Sequence, residues 1–171
     1  MTSQQLTVEH MDVTTTRSFQ DAEAVLEKAA PVVAPGLFKG LVEARASSQE
    51  IQTAVSLAQG DLQFMTLAKV SQGELTSLLG TPKKLTVYLI GNPVIANRMF
   101  ERNRGAGLYA PLRASLYEDT SGNVHFSYDR PSTLLGSFKD AEIDVVAAML
   151  DEKMAQLARR IAQPTATGSA T

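Results

Sequence analysis

From Leu108 to Tyr117 the chain alternates without a break. Leu108, Ala110, Leu112, Ala114 and Leu116 hold one parity, and Tyr109, Pro111, Arg113, Ser115 and Tyr117 hold the other. Side chains of a strand point to opposite faces in turn, so ten residues at period two predict a strand with one core face and one face free for other uses. The flanking residues are constrained with it. Residues 84–90 are apolar at both parities, as an interior strand requires. Asn92-Pro93 then starts a helix, because Asn caps well and Pro at the first position gives up only a hydrogen bond that was unavailable. That helix is expected to end near Asn103-Arg104-Gly105. Downstream, residues 118–123 form a polar hairpin loop and residues 124–128 return as the partner strand.

The rest of the chain reads around this unit. Residues 6–16 end in the β-branched run Thr14-Thr15-Thr16 and predict an N-terminal strand. Ser18 and Asp21 open a helix whose apolar face is Phe19, Ala22, Leu26 and Ala29. Residues 31–45 are compatible with a helix or a packed loop. Ser47 and Glu50 form a capping box for a helix with Ile51, Ala54, Val55 and Ala58 on one side and Gly60 as its C-terminal stop. Residues 62–70 predict a strand with Leu62, Phe64, Ala68 and Val70 on one face. A short helical piece follows, closed by Gly80-Thr81-Pro82. Residues 132–139 read as a loop. From Asp140 to about Ile161 an amphipathic helix carries Ile143, Val146, Ala147, Leu150, Met154, Leu157 and Ile161. The expected class is α+β: one domain over residues 1–162 with a largely antiparallel sheet, helices on one face and a disordered tail at 163–171.

Composition removes several functions. There is no cysteine, which excludes disulfides, thiolate metal sites and cysteine nucleophiles. The formal net charge of −2 lacks the basic excess that general nucleic-acid binding needs. No apolar run approaches a membrane span, and Met1-Thr2-Ser3-Gln4-Gln5 lacks a signal-peptide pattern. A cytoplasmic protein without membrane or nucleic-acid partners is expected.

Leu-Ile-Gly-Asn-Pro-Val-Ile-Ala-Asn-Arg-Met-Phe at 89–100, Gly-Leu-Tyr-Ala-Pro-Leu-Arg-Ala-Ser-Leu-Tyr-Glu at 107–118, and Asp-Arg-Pro at 129–131 together resemble the bacterial domain-of-unknown-function 302 family. Weaker matches lie at 14–26 and 64–79. The resemblance implies a TATA-box-binding-protein-like α+β fold, commonly paired into a homodimer, and it implies no particular activity. Two departures stand out. Leu112 occupies a position where many relatives carry cysteine, and residues 31–50 are longer than the minimal family pattern.

Candidate chemistry concentrates between Tyr88 and Tyr128, which hold all four tyrosines. Arg98, Arg102, Arg104 and Arg113 outnumber Glu101 locally and could clamp a carboxylate or phosphate if they converge. The plainer account is that Arg102 and Arg104 suit a helix C-terminus and Arg98 pairs with Glu101. The polar parity of the strand, Tyr109, Arg113, Ser115 and Tyr117, could line a groove with Tyr88 or Tyr128 nearby; the alternative is a solvent face. His10 and His125 fall in predicted strands. Two histidines without a ligand spacing do not make a metal site, and no cofactor motif occurs. Gly105-Ala106-Gly107 follows a helix and precedes a strand, the reverse of a phosphate loop.

The expected ligand-binding set is Tyr109, Arg113, Ser115, Tyr117, Arg98 and Tyr128, holding a small organic or anionic molecule. The alternatives are a cofactor-independent isomerase, cyclase or lyase, with a tyrosine acid and Asp129, Glu118 or His125 as base, and a homodimeric interaction module without a small-molecule site.

Overall fold

The computed structural model describes residues 3–80 and 83–164. The expected closure at Thr81-Pro82, and the expected tail beyond Pro164, lie outside these residues. Five strands, β1 (His10–Thr15), β2 (Met65–Ser71), β3 (Leu85–Gly91), β4 (Leu112–Glu118) and β5 (Val124–Asp129), form one antiparallel sheet in the order β1-β5-β4-β3-β2. Seven α-helices are described: α1 (Phe19–Ala29), α2 (Leu37–Glu43), α3 (Ser48–Ala58), α4 (Gln72–Ser77), α5 (Pro93–Arg102), α6 (Pro131–Leu135) and α7 (Ala141–Ala162). The α+β class with an antiparallel sheet and a long C-terminal helix is what the periodicities predicted.

Local signals set the helix starts. Ser18 accepts from the Asp21 amide, Ser47 and Glu50 close a reciprocal capping box, and Asn92 accepts from the amides of Val94 and Ile95. Asp140 caps α7 through the amides of Glu142 and Ile143. The core is one cluster in which Phe19, Ala22, Leu26 and Ala29 of α1 and the apolar stripe of α7 meet Tyr88, Ile90, Leu112, Ala114, Leu116, Val124, Phe126 and Tyr128. Burying this surface is the main force holding helices to sheet. Polar ties fix the edges: the Thr15 hydroxyl donates to the Ile161 carbonyl at 2.8 Å, and Arg130 bridges Glu9 and Asp151.

Several expectations are corrected. β1 starts at His10 rather than Leu6. Only Val55 of the predicted apolar face of α3 is buried. Residues 132–139 are not loop; they hold most of α6 and a 3₁₀ turn at Gly136–Phe138. The ambiguous stretch 31–45 contains α2, with no buried residue, and Val32 bridges Thr66 in parallel. In β2 the parity breaks. The register slips between Thr66 and Ala68, so Leu67 is an extra residue. Phe64 and Leu62 therefore enter the core while Ala68 and Val70, opposite Leu89 and Val87, face the other side. Lys69 comes level with Tyr88 and meets Glu23 and Glu27 of α1 at 3.0 and 2.7 Å.

The ten-residue alternation is also shorter in space than in sequence. β4 begins at Leu112, and Arg104–Leu108 is a 3₁₀ turn that leaves Leu108 78% exposed. Proline lacks the amide a ladder needs, so Pro111 marks the strand's start.

Candidate functional site

The face of the sheet turned away from α1 and α7 carries the candidate groups, and strand pairing dictates their order. Along one cross-strand row lie Val87, Ser115, Ser127 and Asp12; along the next lie Leu85, Tyr117, His125 and Thr14. Arg113 stands opposite Leu89. Residues two apart on one face are separated by about 7 Å, so Arg113, Ser115 and Tyr117 form a column down β4.

A groove of about 480 Å³ runs over this column, lined by Arg113, Ser115, Ser127, Gln72, His10 and Asp129. His10 Nδ1 sits 3.0 Å from Asp129 Oδ1, which places an ion pair on one wall when the imidazole is protonated. Arg113 is exposed and makes no ion pair or hydrogen bond with any described residue. The hydroxyls of Ser115 and Ser127 make no side-chain hydrogen bond either.

Beyond Ser115 and Ser127 is a second cluster. The Tyr117 and His125 rings stack with centroids 5.0 Å apart and planes 12° from parallel. Asp12 of β1 reaches both, lying 3.2 Å from His125 Nδ1 and accepting from the Tyr117 hydroxyl at 3.3 Å. On the other side Asp119 Oδ2 is 3.4 Å from His125 Nε2. Hydrogen bonds from the Asn123 side chain and backbone hold Asp119 down at about 2, with smaller help from His125 and the Ser121 amide against partial desolvation. Burial first, then the charge and hydrogen bond of Asp12 and the charge of Asp119, push the Tyr117 phenol up. A stacked phenol and imidazole between two carboxylates can relay a proton.

The six predicted site residues do not all converge. Arg113, Ser115 and Tyr117 share the face. Tyr128 has the opposite parity: its ring packs 5.7 Å from that of Phe126 in the core, and burial followed by the Asp151 charge raises its phenol. Tyr88 is likewise inward, donating to Glu23 at 2.8 Å. Tyr109 precedes β4 and meets Phe138 edge-on at 6.0 Å. Arg98 is exposed on α5, and the arginine cluster disperses: Arg102 pairs with Asp140 at 3.1 Å, while Glu101 accepts from Asn97 rather than from Arg98. Sequence reasoning missed Asp12, Asp119 and Ser127. The signal that could have found them was the β1–β5 neighbourhood of the two histidines. Among the described residues no group of three or more His, Asp or Glu side chains could hold a metal ion, and no helix is long and apolar enough to cross a membrane.

The sequence model of the family described as "Domain of unknown function DUF302" matches residues 42–161. That span includes Arg113, Ser115, Tyr117, Asp119, His125 and Ser127, and leaves out β1 with His10 and Asp12. A similar solved structure is that of an uncharacterized conserved protein DUF302 from Bacillus stearothermophilus, 18% identical, with a TM-score of 0.62 over 89% of this chain and 97% of that one. At that identity the likeness concerns the fold. No curated protein matches the chain.

Proposed function

Since the chain belongs to the family of the domain of unknown function DUF302, whose description specifies no activity, we propose a function from its own site: it binds a small organic carboxylate on the sheet face turned away from α1 and α7. The supporting observation is Arg113, a guanidinium without an acceptor among the described residues, set in a groove beside two equally unpartnered serine hydroxyls. A guanidinium presents two parallel donors to a carboxylate, and Ser115 and Ser127 supply further donors across the adjacent strands. Tyr117 borders the far end of the column.

Thermal shift with a panel of small carboxylates tests this, because a ligand of the native state raises apparent stability. A stabilising carboxylate is expected for the intact protein. Arg113→Ala should weaken its binding by roughly 10- to 150-fold, the loss of a charge-assisted hydrogen bond of about 1.5–3 kcal/mol, while leaving the ligand-free Tm in place. An equal response in Arg113→Ala sinks the proposal, as does a panel in which no carboxylate stabilises; in the latter case an interaction module is the better reading. Pairing of two copies rests on the family resemblance, and light scattering decides it.

A second reading draws on the Tyr117–Asp12–His125–Asp119 cluster: a cofactor-independent acid–base catalyst of the isomerase, cyclase or lyase type. It requires turnover of a bound carboxylate that Tyr117→Phe abolishes without weakening binding. Retained turnover in that variant removes it.

A further inference from the structure

Between α5 and the ends of β3 and β4 lies a pocket of about 140 Å³, distinct from the groove over Arg113. Ala96, Met99 and Phe100 of α5 form one wall, Ile90 and Leu112 of the sheet another, and Leu150 of α7 also lines it. The one polar side chain at its edge is Asn92, and all of its hydrogen-bonding capacity is used within the protein. Its Oδ1 accepts from the Val94 and Ile95 amides, and its Nδ2 donates to Gln59 Oε1 at 2.7 Å and to the Gln63 carbonyl at 2.9 Å. A guest therefore finds no free hydrogen-bond donor or acceptor on Asn92.

The pocket is partly open to solvent and its lining is almost wholly apolar, so water inside it finds few partners and is displaced by hydrocarbon at little cost. The room exists because small residues stand at Gly91, Ala96 and Ala110. Gly91 needs no left-handed backbone, so its conformation alone does not call for glycine. An added Cβ at Gly91 would meet Pro111 and Leu67 at 3.4–3.6 Å, so the pocket rim is packed by these two side chains.

We propose that this pocket is a binding site for one uncharged aromatic ring, about the bulk of benzene or toluene, belonging to a small molecule. Recognition is by shape and apolar contact alone. The thioether of Met99 and the ring of Phe100 suit the face and edge of an aromatic guest.

Toluene is the probe. Titrated into the full chain with methyl groups followed by NMR, it should shift the Met99, Ile95, Leu112 and Leu150 methyls in a saturable way. Ala96→Leu fills the pocket from α5 and should abolish those shifts while keeping or raising Tm. Should that variant not fold, Ala110→Val fills from the strand side and carries the same expectation. Arg113→Ala should leave the toluene response intact, which separates failure of this site from failure of the carboxylate groove. Methyls that stay still up to the solubility of toluene overturn the proposal. Equal shifts in a filled, folded variant also overturn it.

Discussion

Replacing Tyr88 with phenylalanine should destabilise the protein at neutral pH and stabilise it in strong alkali. The Tyr88 side chain is fully buried on the helix side of β3, and its hydroxyl donates to Glu23 Oε1 at 2.8 Å. Lys69 holds the same carboxylate at 3.0 Å and lies 5.9 Å from the tyrosine ring centroid. Burial is the largest cause of the raised phenol pKa, followed by the hydrogen bond and charge of Glu23 and the charge of Glu27. The sign follows from linkage. In the unfolded chain a tyrosine ionises near pH 10, while the folded protein keeps Tyr88 protonated well above that. Its stabilisation is therefore complete below about pH 10 and falls by about 1.4 kcal/mol for each pH unit above it.

At neutral pH the lost bond to a carboxylate is worth about 1.5 kcal/mol, the low end for a charged partner, because Glu23 keeps Lys69 as a donor. Dividing that by the alkaline slope puts the crossing of the two stability curves near pH 11. Urea denaturation of both chains at intervals between pH 8 and 11.5 measures it. Tyr117, Tyr128 and Lys69 are present in both proteins, so their own titrations largely cancel in the difference. A stability gap that stays constant across this range refutes the reasoning.

Gly60 sits where an added Cβ would run into the backbone carbonyl of Ala29, at the end of α1. Gly60→Ala should therefore cost about 2–3 kcal/mol through forced backbone movement, or roughly 4–12 °C in a thermal melt; an unchanged Tm refutes the clash. Asp119, held down at about 2, should support stability above the ordinary carboxylate range and lose that support as pH falls from about 4 towards 2. Asp119→Ala should be less stable at pH 7 and show a flatter acid limb in thermal melts, and matching acid limbs would count against it.

Much of the fold was legible because its signals are local. The caps at Ser18, Ser47, Asn92 and Asp140 each act within three residues, and the face of α1 needs only a period. What failed depended on distant partners. A bulge at Leu67 costs one residue and leaves no mark in composition, yet it reverses the faces of Ala68, Lys69 and Val70. The apparent alternation through Leu108 and Tyr109 meets a proline at 111, which ends the ladder that the period alone would extend. Gly60 follows the Gln59 cap of α3 and opens a turn, with the Gln63 amide donating to its carbonyl, but its φ is not positive, and what calls for glycine there is the carbonyl of Ala29 where a Cβ would stand. The candidate site was half legible for the same reason. Parity placed Arg113, Ser115 and Tyr117 on one face, whereas Asp12 stands beside His125 only through pairing across 113 positions.

That pairing has a temporal consequence. The three strands at the middle of the sheet, β5, β4 and β3, connect through one tight hairpin and one helical crossing, so they can associate as soon as residues 85–129 are available. β1 is the first strand of the five in sequence, and its neighbour β5 follows it by more than a hundred residues, so its pairing closes the longest loop in the sheet. Contacts of such sequence separation raise the contact order, which goes with slower folding. Until β1 docks, the edge of β5 is bare and His125 lacks Asp12, so the Tyr117–Asp12–His125 contacts form only with that pairing. The hydrogen bond between β1 and the last turn of α7, from Thr15 to Ile161, then joins the earliest strand to the latest helix.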